Sequence, residues 1–73
     1  MFNPQFDGLY WDYTFQIVQQ LIETYPTIDL DTVGTEQLYR WIIALPNFAD
    51  DPTLVNEGIL NEILREWYEE VNS

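Results

Sequence analysis

The sequence predicts a mainly α fold: a small, helix-turn-helix-like domain of three helices with at most a minor strand pair. Three observations carry this reading. Apolar residues recur at helical spacing in three separate stretches. Pro26 and Pro46 break the chain between those stretches, because the residue before a proline avoids helical geometry. Hydrophobic residues make up 47% of the 73 positions and aromatics 16%, which supplies the dense core that so short a chain needs.

The elements follow in order. The first ten or so residues, punctuated by Pro4 and Gly8, read as an N-terminal extension, with an extended piece near Leu9 to Trp11. Ile17, Val18, Leu21, Ile22 and Tyr25 then mark a helix from Asp12 to Tyr25, with Asp12 as its N-cap and Pro26 as its stop. Thr27 to Val33 holds a brief extended piece. Thr35 caps a second helix, Glu36 to Leu45, whose buried stripe is Leu38, Trp41, Ile42 and Leu45. After Pro46, a loop around Phe48 dips into the core. The last helix runs from Asn56, its cap, to Val71, with Ile59, Leu60, Ile63, Leu64, Trp67, Tyr68 and Val71 on one broad apolar face. Trp11, Trp41 and Trp67 read as core.

Charge narrows the function. Thirteen acids stand against two bases, Arg40 and Arg65, for a net charge of −11. Nucleic-acid binding rests on neutralising phosphates with lysine and arginine, so two arginines exclude it. Anionic membrane surfaces are disfavoured for the same reason. No apolar run has the length of a transmembrane helix, and the N-terminus lacks the pattern of a signal peptide, so a cytoplasmic protein is expected. A basic protein surface or a metal cation is the natural partner.

Cysteine, histidine and lysine are all absent. That removes the usual nucleophiles, the usual base at neutral pH and the usual transition-metal ligands, so no enzyme is expected. Asp29 to Gly34 opens like a calcium loop, with acids at the first and third places and glycine at the sixth. Val33 at the fifth place and Arg40 at the twelfth break the pattern, so a solvated loop is the better reading.

The last helix carries Glu62, Glu66 and Glu70 at i, i+4 spacing with Glu69 beside them. Like charges so placed destabilise a helix, and Glu69 and Glu70 sit at its negative end. These acids form either a solvated face or a surface for an external cation. The stretch ADDPTLVNE poses the same choice. Turn chemistry accounts for Pro52, and capping accounts for Asn56 and Glu57. Composition leaves Asp50 beside Asp51 open.

Beyond composition, the segments Trp41-Ile42…Leu45…Phe48…Asp50-Asp51-Pro52 and Asn56-Glu57…Ile59-Leu60…Ile63-Leu64…Trp67 resemble the IscX (YfhJ) family of iron–sulfur cluster assembly proteins. The likeness begins at Trp11, so residues 11–73 form an IscX-like domain behind an extension of residues 1–10. It implies a monomeric, modified winged-helix domain that docks on the cysteine desulfurase of the assembly system and regulates it. It also implies weak binding of ferrous iron through surface carboxylates, with no tightly bound cofactor. Asp29, Asp50, Asp51, Glu57, Glu69 and Glu70 fall where the family carries acids, and are the expected partner-binding residues. Asp12, Glu23, Asp50 and Asp51 are the candidate metal ligands. Tyr13, Gln19, Pro46, Asn47 and Ala49 stand where the family is often more acidic. The resemblance thus implies a non-enzymatic regulator of cluster assembly. The alternatives are an iron donor whose main task is metal delivery, a generic acidic interaction module, and an acidic mimic of nucleic acid.

Overall fold

A computed structural model describes residues 8–72. It contains three helices: α1 (Thr14–Thr24), α2 (Thr35–Ile43) and α3 (Glu57–Asn72). Among the described residues the only pairing of strand type is one parallel bridge between Leu9 and Phe48. The fold is mainly α, as its periodicity requires.

Helix α1 buries Ile17, Val18 and Leu21, one face at i, i+1, i+4. The Tyr25 amide closes its last turn on the Leu21 carbonyl at 2.8 Å, and Pro26 follows. Its start differs from the expectation. The N-cap is Tyr13, with no side-chain cap, and Asp12 lies one residue earlier. The Tyr13 amide bonds the Tyr10 carbonyl at 2.9 Å, so Asp12 is locked into a turn and cannot reach the helix amides as a cap.

Residues 27–33 also differ from the extended piece predicted for them. Leu30–Thr32 form a 3-10 turn. The Asp29 carboxylate accepts from the Asp31 amide at 3.0 Å, and its carbonyl accepts from both the amide and the hydroxyl of Thr32. These local bonds outcompete extension. The turn drops Leu30 and Val33 into the core.

Helix α2 begins at Thr35, and Gly34, not Thr35, holds the N-cap position. Glu36 and Arg40 pair along it at 2.9 Å, acid toward the N-terminus and base toward the C-terminus, as the helix dipole favours. It ends at Ile43, two residues short of the predicted Leu45. Helix α3 begins as expected: the Asn56 side chain accepts from the Ile59 amide at 2.9 Å.

The core joins all three helices. Trp67, Ile17, Val18, Leu21, Leu38, Ile42 and Ile63 are essentially inaccessible to solvent. Burying each such side chain contributes roughly 1.5–3 kcal/mol, which is the main favourable term in a domain this small. Trp11 and Trp67 are buried as predicted, whereas Trp41 is only half-buried. It stacks on Tyr25 with ring centroids 4.1 Å apart and meets Trp67 edge-on. Leu9, within the residues read as the N-terminal extension, is a core residue at 3% exposure.

Candidate functional site

The acidic stretch after α2 folds around Trp11. One oxygen of Asp50 accepts from the Trp11 amide at 2.9 Å, and the other accepts from the Asp51 amide at 2.7 Å. The Trp11 indole N–H donates to the Asp51 carbonyl at 2.9 Å. The indole ring lies parallel to Tyr39 at 6.2 Å and edge-on to Phe48 at 5.0 Å. The Tyr39 hydroxyl reaches on to the Pro52 carbonyl. Around the bridge, the Leu9 amide donates to Asn47 and the Ala49 amide to Leu9. The N-terminal segment and the loop after α2 therefore form a clasp with Trp11 inside.

This clasp separates the roles of the two aspartates. Asp50 is half-buried, with both oxygens turned onto main-chain amides. Asp51 is exposed. Its carboxylate accepts from the amide and the hydroxyl of Thr53, which holds its pKa below the usual carboxylate value. Both serve the local fold.

The other candidate acids lie elsewhere. Asp29 organises the 3-10 turn, and its neighbour Asp31 accepts a hydrogen bond from the Tyr68 hydroxyl of α3. That bond keeps the phenol protonated and raises its pKa. Glu57 is exposed in the first turn of α3, and Glu69 and Glu70 lie near its end. Within that ladder the Glu66 carboxyl is pushed up, first by partial burial, then by a hydrogen bond with Glu70 and the charges of Glu69, Glu70 and Glu62. Arg65 is taken up by Glu62 at 2.9 Å. Both bases of the chain are thus held in pairs within their own helices.

The four candidate metal ligands do not come together as one group. Asp12 precedes α1, whereas Glu23 stands near its far end, roughly 13 Å along the helix axis from its first residue, Thr14. Among the described residues no three acids come together as a group able to hold an ion. The six candidate partner-binding acids likewise spread over three regions: Asp29 at the 3-10 turn, Asp50, Asp51 and Glu57 around the loop and the start of α3, and Glu69 and Glu70 at its end.

An open groove of about 620 Å³ runs beside the clasp. Tyr10, Leu54 and Ile59 are among its apolar residues, and Asp12, Asp50 and Glu62 among its acids. Reading the chain in order misses this groove, since its residues come from three separate stretches. The signal in the sequence is Leu54, an apolar residue in a polar loop. Thr53 and Tyr68, which fix the two acidic loops, carry no comparable signal. No helix among the described residues is long and apolar enough to cross a membrane.

Residues 9–72 match a family model described as iron-sulphur cluster assembly. The uncharacterized protein PA3808 of Pseudomonas aeruginosa is 39% identical over 63 residues, which are 86% of this chain and 96% of that one.

Proposed function

Because the chain belongs to the iron–sulphur cluster assembly family, we propose that it is a non-enzymatic accessory protein that docks on the cysteine desulfurase of the assembly system and regulates it. The observation that supports docking is the distribution of charge. The net charge is −11, and the two arginines are paired within their own helices, so they leave the remaining acids uncompensated. Such a surface steers a basic partner and sets the orientation of approach. Asp29, Asp50, Asp51, Glu57, Glu69 and Glu70 supply the field. Of these, Glu57 and Glu69 are the exposed acids least tied to the fold, so they are assigned the most direct contacts. The protein acts as a cytoplasmic monomer.

Weak binding of ferrous iron belongs to the same reading, with iron as cargo. The only charged donors are carboxylates, which suit hard and borderline cations without selecting strongly among them. An ion held by one or two carboxylates and water is held loosely. Anaerobic calorimetry with ferrous iron tests this. Weak, unsaturated heats fit an accessory protein, whereas tight stoichiometric binding would make iron delivery the main task.

The deciding experiment for docking is an NMR titration of the isotope-labelled protein with the cysteine desulfurase of the same organism, at low and high salt. Salt-sensitive shifts around Asp29, Glu57, Glu69 and Glu70 are expected. Unchanged spectra at low salt would overturn the proposal.

A further inference from the structure

Exposed charge pairs contribute little affinity one by one, so an acidic surface alone steers a partner better than it holds one. The groove beside the Trp11 clasp offers the missing kind of contact. Four large hydrophobic residues are exposed among those described, and two of them, Tyr10 at 42% and Leu54 at 63%, line this groove. Ile59 and the glycine of α3, Gly58, complete its apolar part. A concave, mostly apolar site with a few polar groups placed around it is the usual form of a binding pocket. The acids Asp12, Asp50 and Glu62 stand around it, with Glu62 shared with Arg65. None of the described lining residues is basic.

We propose that this groove is a docking site for a peptide segment of a partner protein that presents an aliphatic side chain flanked by lysine or arginine. The apolar side chain enters between Tyr10, Leu54 and Ile59, and the flanking bases meet the acids around the groove. The chemistry follows from the groove itself: an apolar floor selects the central residue, and a rim whose charged residues are all acids selects its neighbours. The inference goes beyond the role in cluster assembly and does not depend on which partner carries the segment.

The test uses the full chain and two synthetic peptides of equal charge, one alternating leucine with lysine and one alternating serine with lysine. NMR titration gives both affinity and location. The leucine peptide is expected to shift the amides of Tyr10, Leu54, Gly58 and Ile59, and to bind about tenfold or more tightly than the serine peptide, the gain expected from burying a single aliphatic side chain. Leu54→Ser should abolish that difference and Leu54→Met should retain it. Since Leu54 is largely exposed, neither change threatens the fold. Equal affinity for both peptides would reduce the groove to diffuse electrostatics and overturn the proposal. So would shifts confined to the far end of α3. Binding that appears only after Phe2 and Phe6 are replaced by serine would assign the groove to the chain's own first residues, which also overturns it.

Discussion

The main-chain amide of Trp11 donates to the carboxylate of Asp50 at 2.9 Å, across 39 positions of sequence. The bond ties the residue before α1 to the loop after α2, so an acid expected to face a partner also fastens the fold. Asp50→Ala leaves two amides without their acceptor. Hydrogen bonds to charged groups contribute about 1.5–3 kcal/mol each, so the variant should lose on the order of 2 kcal/mol of stability. Urea denaturation followed by tryptophan fluorescence measures it. Asp50→Asn should fall between, because it keeps one acceptor oxygen but turns an NH₂ group toward the other donor. An Asp50→Ala variant of unchanged midpoint would remove the fastening role.

Separating docking from folding calls for acids of another kind. Glu57 and Glu69 are exposed and lie on opposite ends of α3. Replacing both with glutamine should move Tm by no more than about 2 °C, as surface changes usually do. The same variant should bind the desulfurase about threefold or more weakly at low salt, and the deficit should shrink as salt screens the remaining field. Calorimetry at two salt concentrations checks both parts. Undiminished binding would place the contact on other acids.

The helices were legible in the sequence because their signals are local. Three apolar stripes, Pro26, Pro46 and the Asn56 cap need only neighbouring residues to act. The misread points, Asp12, Thr35 and residues 27–33, are places where a nearby competitor wins: the Tyr10 carbonyl for the turn, Gly34 for the cap position, and the Asp29 carboxylate for the 3-10 turn. The clasp was not legible. Asp50 finds Trp11 39 residues away and Tyr68 finds Asp31 37 residues away, and no spacing rule in one sequence encodes such pairs. The acids were therefore visible, but their division into fold-holding and surface acids was not.

The acid ladder on α3 gives a pH signature. The pKa of Glu66 is raised above the ordinary glutamate value of 4.5, so its contribution to stability is fully present below about pH 4.5 and is lost as pH rises through the raised value. The Asp51 carboxyl is lowered, so its contribution is present above pH 3.8 and is lost on acidification below that. Glu66→Gln should raise Tm at neutral pH by on the order of 2 °C, since like charges at i, i+4 are relieved. It should also remove the loss that wild type shows as pH rises from 4.5. Thermal melts across that range decide it, and a variant less stable than wild type at pH 7 would refute the ladder's cost.

Tyr68 offers a spectroscopic check on the second fastening. Its phenol, bonded to Asp31, should ionise above pH 10, and the stability it lends is present below pH 10 and lost as pH climbs through the raised value. Ultraviolet titration of wild type against Asp31→Asn should show one tyrosine returning toward the ordinary value. Identical titrations would mean that the bond to Asp31 does not hold the proton.

The bridge that closes the clasp depends on a missing side chain. A Cβ built on Gly8 would stand 2.7 Å from the Cβ of Ala49, closer than two carbons approach without displacement. The two strands of the bridge are held together by the Leu9 amide on Asn47 and the Ala49 amide on Leu9, at 2.8 and 2.9 Å, so neither can retreat without stretching both bonds. Gly8→Ala should therefore destabilise the domain by about 1–3 kcal/mol, the usual range for overpacking. Ala49→Gly alone should cost less, since Ala49 is exposed. Adding Ala49→Gly to Gly8→Ala should then recover most of the loss, because the space surrendered at one position receives the methyl group from the other. Denaturation of the two single variants and the double variant forms a cycle with a coupling term. Additive losses would show that the cost of Gly8→Ala does not arise from the close approach to Ala49.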